Sequence, residues 1–349
     1  MSRPHTTLLT PVKALPLPVG LCLLCTLGGL DLQHLLLACG AVGLVQLWTG
    51  NRVALQPLGL VGLALALSAS AHGAELSAPT LALAALLTGA LWLLLKAVTR
   101  ARSTPGLLSS DVLQALQLGL GLLMFWTGVQ WMVDSPLWST LLFLTGTWAA
   151  TRSPGLLWPA LLGLGLLMGL WDTPQALDSL IRLPGLNWAP PVLALPAINP
   201  DDVGLALSLV ALPALLMGLG QTAVQRPLSP ALWVSNVTAG LLGSLPTEAS
   251  TAPPRQEVST LMRSLMLIAV GLVGSDWLVG VAITLPEAAL GVMLCFGALP
   301  LIKTHTNTVL GSHRRWTLVF LALCAALHIG LASVVALWLS HPRRRGQAS

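Results

Sequence analysis

Charge is what this chain most conspicuously lacks: Asp, Glu, Lys and Arg together supply 8% of its 349 residues. The scarcity runs from end to end, which excludes a soluble domain of any size. Tyrosine is absent and phenylalanine occurs four times, a bias with no functional meaning of its own. There is no nucleophile constellation, no glycine loop built to cradle phosphate and no cluster of metal-ligating side chains. Neither an enzyme nor a bound cofactor is therefore expected, and nucleic acid is not an expected partner. Of the five cysteines, Cys22-Leu-Leu-Cys25 has a redox or metal-ligand spacing but lies in an apolar run with no histidine or second pair nearby, so it reads as packing. Arg3 and Lys13 precede an apolar segment that continues into further spans without a small-residue cleavage site, so a removable signal peptide is not expected.

What is there instead is apolar residue, 55% of the chain, broken by 33 glycines and 25 prolines into runs of membrane-spanning length. A spanning helix needs roughly 20 apolar residues, so the length accommodates about ten to fourteen spans in one membrane domain. Charge, Gly and Pro place the first-half spans near 14–30, 32–49, 57–71, 79–98, 112–132, 137–150 and 156–170. From Trp171 to Asp202 the texture changes to aspartate and proline, the natural boundary between two halves. Beyond it, spans are expected near 203–224 and 231–242, then a short polar helix. The last ones fall near 261–279 and 281–302, with a folded pair over 316–339.

Two interruptions stand out. The first is Asn51-Arg-Val-Ala-Leu-Gln-Pro-Leu-Gly59, the second Gly243-Ser-Leu-Pro-Thr-Glu248. Each falls in the third element of its half, just before a proline, whose preset φ suits the start of a helix. Irregular backbone inside a bilayer is tolerable only where protein or a water-filled cavity surrounds it, and paired breaks in two halves point to a transporter site between inverted repeats.

The expected fold is thus an all-α polytopic membrane protein of about 14 transmembrane elements, a 7+7 inverted repeat with broken half-helices at elements 3 and 10. Residues 1–171 form the first repeat, 172–202 an external connection, 203–341 the second repeat, and 342–349 a basic cytoplasmic tail. With a cytoplasmic N-terminus this count puts Arg3, Lys13, Arg52, Lys96, Arg100, Arg102, Arg152, Arg226, Arg255, Arg263, Lys303, Arg314, Arg315 and Arg343 to Arg345 inside. Only Arg182 falls outside, as the positive-inside rule requires. Both termini are expected in the cytoplasm, with the tail touching anionic lipid headgroups.

Several segments carry a family resemblance. Gly28-Gly-Leu-Asp31, Trp48-Thr-Gly50, Val53-Ala-Leu-Gln-Pro57, Gln114-Ala-Leu-Gln-Leu-Gly-Leu-Gly121 and Leu285-Pro-Glu-Ala-Ala-Leu-Gly-Val-Met-Leu294 run in order along the chain. Together they resemble the molybdate transporter family, related to sulfate permeases and in fold to proton-coupled uracil permeases. The resemblance implies a secondary-active transporter in a bacterial inner membrane, with molybdate or sulfate as substrate and homodimerisation as a common property. The family's Val-Gln-Pro-Met-Lys segment here has Gly59 in place of the lysine. Its eighth-span motif is replaced by Ala214-Leu-Leu-Met-Gly-Leu-Gly-Gln221, and its tenth-span motif by Pro246-Thr-Glu-Ala-Ser-Thr251.

The candidate substrate-binding residues are Gln56, Pro57, Gln221, Ser244, Pro246, Thr247, Glu248 and Ser250. Helix N-termini at the two breaks would favour a small anion, and the amides and hydroxyls would add neutral donors. Ordinary interhelical hydrogen bonding is the competing explanation for each polar residue. Glu248 is the sharpest, because an ionisable group inside a membrane is expensive. A carboxylate repels a dianion, so it favours an alternative, a proton-coupled carrier of a small organic solute such as a nucleobase or aromatic acid; capping a polar helix is the bland role. Glu287, near the start of a span, reads as an interfacial or pairing group. Asn236-Val-Thr238 matches a glycosylation acceptor but falls within a span, and His305, His313 and Arg314 read as a solvated loop. A divergent protein that no longer transports and serves as a membrane interaction partner is the third reading.

Overall fold

A computed structural model describes residues 31–49, 54–56, 78–99, 109–153, 155–174, 200–216, 230–250 and 257–340. The expected spans at 14–30 and 57–71, Cys22, Cys25, Pro57, Gln221, most of the central connection and the basic tail lie outside these residues.

The apolar runs become helices where composition places them. In the first half these are α1 (Leu32–Trp48), α2 (Ala78–Thr99), α3 (Ser110–Val133), α4 (Pro136–Arg152) and α5 (Leu157–Asp172). Asp31 starts α1 by accepting from the Gln33 N–H at 2.8 Å and holds His34 at 3.0 Å. Proline at the first position of α4 suits a helix start, where no N–H is needed. Between α1 and α2 lies a three-residue strand, β1 (Ala54–Gln56).

The second half opens with α6 (Pro200–Leu205), which widens into a π-helical turn over Ala206–Ala211 and returns to α-helix through Leu216. Pro213, just after this stretch, has no N–H to give the preceding turn, and the Leu212 N–H reaches five residues back to the Leu207 carbonyl. Then come α7 (Pro230–Leu241), strand β2 (Glu248–Ser250), α8 (Glu257–Val273), α9 (Ser275–Thr284), α10 (Glu287–Gly311), α11 (Arg315–Leu327) and α12 (Ile329–Ser340).

This differs from the sequence expectation at three places. The second interruption continues into strand, with Ser244 to Thr247 irregular and 248–250 paired, and the short polar helix expected after it falls largely on residues 251–256, outside the described residues. The spans expected at 261–279 and 281–302 are divided instead at Gly274 and at Leu285-Pro286, because proline at 286 removes a helical donor and holds the extended entry to α10. His305 is part of α10 rather than of a loop.

Among the described residues three helices, Pro79–Ala97, Ser110–Val133 and Glu287–Gly311, are long and apolar enough to cross a bilayer unaided. Tryptophans mark the ends of several others. Trp48 and Trp171, at the last turns of α1 and α5, are 79% and 80% exposed, and Trp316 and Trp338 are also exposed near the ends of α11 and α12. Exposed indole at helix ends is the arrangement of residues that sit at the headgroup level.

By packing, the described helices sort into two groups. In one, α1 lies on α8 and α7, α7 lies on α2, and α2 reaches the π-turn of α6. In the other, α3 and α10 form a central pair, flanked by the hairpins α4–α5 and α11–α12. Ser312, after α10, donates to the Asp111 carboxylate at the start of α3 (3.2 Å), tying the ends of that pair. Between the groups, the seams are α5 with α9 and α12 with the π-turn.

Both seams depend on glycine. A side-chain carbon at Gly330 would stand 2.9 Å from the Ser208 carbonyl oxygen of the π-turn, and one at Gly169 would overlap the Thr284 carbonyl at the end of α9.

Candidate functional site

The two interruptions pair with each other. β1 and β2 form an antiparallel ladder in which Ala54 stands opposite Ser250, Leu55 opposite Ala249 and Gln56 opposite Glu248. The inward-facing backbone groups of each strand, which a bilayer would leave without partners, bond across the break. Of the expected site residues, Gln56, Glu248 and Ser250 are thereby brought onto one two-stranded element. Glu248 is the first residue of β2 and stands opposite Gln56, the last residue of β1.

The segment leading into β2 is positioned by α7. Gly243 ends that helix at φ 70°, a left-handed conformation that costs glycine little. Its N–H bonds to the Gly240 carbonyl at 3.1 Å, and the Ser244 N–H reaches the Ala239 carbonyl at 2.9 Å, the paired bonds of a Schellman ending. The chain then turns back along α7, where Asn236 receives it. Its Oδ1 accepts from the Thr247 N–H at 2.8 Å, and its Nδ2 donates to the Leu232 carbonyl at 2.8 Å and lies 3.4 Å from the Thr247 carbonyl. Asn236 is fully buried, which agrees with discounting it as a glycosylation acceptor. Sequence reasoning missed its positioning role; an amide in an apolar run seven residues before Gly243, where the second interruption begins, was the available signal.

Ser244, Leu245, Pro246 and Thr247 are all buried. The Ser244 and Thr247 hydroxyls have no hydrogen-bond partner, and neither does the Ser235 hydroxyl on α7. Buried hydroxyls normally find partners, so this cluster of free donors is unusual. Among the described residues no group of His, Cys, Asp or Glu is arranged to hold a metal ion.

Arg263, counted with the cytoplasmic charges, lies within α8 and is 4% exposed.

No family model matches the chain, and no curated protein matches it. Solved structures do. The structure of SLC26A9 superposes with a TM-score of 0.72 at 13% identity, covering 96% of this chain and 64% of that one. The murine solute carrier 26 family member A9 anion transporter, in its inward-facing state, gives 0.72 at 14% identity, covering 97% of this chain and 68% of that one. The transmembrane domain of the cyanobacterial bicarbonate transporter BicA gives 0.60 at 16% identity, covering 96% and 95%. The chain spans somewhat under two thirds of the first of these, and it shares their fold: it is a polytopic, helical integral membrane protein.

Proposed function

We propose that this protein is a secondary-active transporter of a small anion, with an inorganic oxyanion, molybdate or sulfate, as the first substrate to test. The observation that carries the reading is the β1–β2 ladder, which unites two interruptions 192 residues apart, counting from Gln56 to Glu248, into one protein-lined break. An anion transporter and a bicarbonate transporter with the same fold support it. Molybdate and sulfate come from the resemblance of the sequence segments.

The packing also supports two inverted repeats, 1–171 and 203–341. The α4–α5 hairpin packs on α10 while the α11–α12 hairpin packs on α3, an exchange expected if one axis relates α3 to α10. Transport would then move the group that holds the strand ladder against the group built on α3 and α10. A bacterial inner membrane, cytoplasmic termini and a homodimer complete the proposal.

A second reading has its own observation. Glu248 stands opposite Gln56 in the ladder, so a titratable carboxylate is built into the break, as proton coupling of an organic solute requires. Uptake into proteoliposomes separates the two. Saturable sulfate or molybdate uptake that survives Glu248→Gln supports the anion reading. Uptake of a nucleobase or aromatic acid that depends on pH and vanishes in Glu248→Gln would replace it, and no uptake or thermal stabilisation by either ligand type would point to a non-transporting interaction protein.

A further inference from the structure

A single residue, His328, separates α11 from α12, and its imidazole caps the second helix. The Leu331 N–H, in the first turn of α12, donates to His328 Nδ1 at 3.2 Å, the bond that a Ser or Asn side chain makes at an ordinary helix start. The His328 N–H reaches the Cys324 carbonyl at 2.7 Å and its carbonyl accepts from the Ala332 N–H at 3.1 Å, so both helices are hydrogen-bonded to this residue. A backbone N–H only donates. Nδ1 therefore presents its lone pair, and the neutral ring carries its proton on Nε2.

This corner lies deep in the helix bundle and beside a seam. Ser312 is bonded to Asp111 at the start of α3; α11 begins three residues later and meets Gly119 of α3 through Ala322 and Ala325. α11 thus runs alongside α3, and His328 comes level with residues about one turn past Gly119, halfway along a helix long enough to cross the bilayer. A side-chain carbon at Gly330 would stand 2.9 Å from the Ser208 carbonyl oxygen and 3.2 Å from His328 Cε1. The ring therefore packs beside the contact between α12 and the π-turn of α6, one of the two seams between the helix groups.

An ionisable side chain at such depth is expensive and marks a functional position. α12 packs on α11, α3 and the π-turn. On α11 the titratable or charged side chains are Cys324, one turn before His328, and Arg315 at the far end; α3 has Asp111 at its start and Asp134 just after its end. α6 has Asp201 and Asp202 at its start, seven and six residues before Ser208, and α12 itself has no charged residue.

We propose that His328 is a proton-binding site at this seam, and that a proton taken up on Nδ1 releases the first turn of α12 from the π-turn of α6. Protonation removes the acceptor of the Leu331 N–H and places a positive charge at the positive end of the α12 dipole. Both effects oppose the capped corner. The stability that the cap contributes is thus present while the ring is neutral and is lost as pH falls. Proton occupancy thereby sets how firmly the two helix groups are joined. This goes beyond anion transport and does not depend on it.

The full-length protein in detergent tests this at about pH 8 and about pH 5.5, on either side of the range in which imidazoles titrate. His328→Asn keeps a side-chain acceptor at the cap and does not titrate, whereas His328→Leu has no acceptor at either pH. At the alkaline pH, wild type and His328→Asn are expected to melt together and His328→Leu several degrees lower. On acidification wild type is expected to lose several degrees more than His328→Asn, closing its gap to His328→Leu. In hydrogen–deuterium exchange, residues 329–332 are expected to exchange severalfold faster in wild type than in His328→Asn at the acidic pH, and equally at the alkaline one. Equal acid losses in wild type and His328→Asn, or equal exchange at the acidic pH, overturn the proposal. If neither variant folds, wild type decides alone: after correction for intrinsic rate, protection of this turn that is the same at both pH values overturns it, and protection lost in acid while the first turn of α11 keeps its own supports it.

Discussion

Asn236 serves as a surrogate strand for Thr247: its side-chain oxygen accepts the Thr247 N–H at 2.8 Å while its side-chain nitrogen faces the Thr247 carbonyl at 3.4 Å. One buried amide thus holds the backbone one residue before β2 and fixes where Glu248 enters the ladder. α7 contributes to the site without necessarily touching a solute.

Replacing Asn236 with leucine leaves a buried backbone N–H without a partner. A loss of about 1–3 kcal/mol is expected, read as a lower melting temperature of the purified protein. Asn236→Asp keeps the acceptor, loses the donors and adds a buried charge, so it should also be destabilising. A variant as stable as wild type would show that Thr247 finds another partner.

The ladder register is open to direct test by cross-linking. In a background lacking the native cysteines, Leu55→Cys with Ala249→Cys places the two thiols directly opposite, within bridging range. Oxidation should close that pair efficiently. Leu55→Cys with Ser250→Cys, one residue out of register, points the side chains to opposite faces and should close poorly. Equal cross-linking of both pairs would refute the pairing.

Close approach of α1 and α8 is expected to be strict at Gly43. Gly43→Ala drives a methyl into the Ser264 hydroxyl, and such overpacking typically costs about 1–3 kcal/mol. Removing that hydroxyl with Ser264→Ala should recover part of the loss, so the double mutant should be more stable than the sum of the single effects. Strict additivity in a thermal-denaturation cycle would place the clash elsewhere.

If the two helix groups move against each other, the seams should control rate more than affinity. Gly330→Val puts branched carbon against the Ser208 carbonyl, and Gly169→Val does so against Thr284. Both are expected to slow uptake severalfold in proteoliposomes while leaving oxyanion-induced thermal stabilisation near wild type. Loss of binding together with uptake would mean that the seams shape the site itself.

The elements most legible in the sequence were those whose neighbours do not matter. α1, α3 and α5 begin and end within two residues of their expected limits, because an apolar run bounded by Asp31, Ser109, Pro136 or Asp172 can be helical in a membrane whatever packs on it. The divisions at Gly274 and Leu285-Pro286 were misplaced because the apolar texture continues through both, and only backbone geometry there ends a helix. The burial of Arg263 was not legible for a related reason: a charge near the end of an apolar run has the same local sequence whether it faces headgroups or a neighbouring helix.

By itself, then, the sequence determined the solvent and the punctuation. Scarce charge and long apolar runs commit the chain to a bilayer, and Gln56-Pro57 and Leu245-Pro246 mark where its helices cannot continue. Tertiary structure decided what those breaks meet. Backbone groups released by a broken span must find partners inside protein, and the pairing of β1 with β2, the grip of Asn236 on Thr247 and the burial of Arg263 all join residues far apart in sequence or on different faces of a helix. Such choices depend on which surfaces fit, and no local pattern of side chains specifies them.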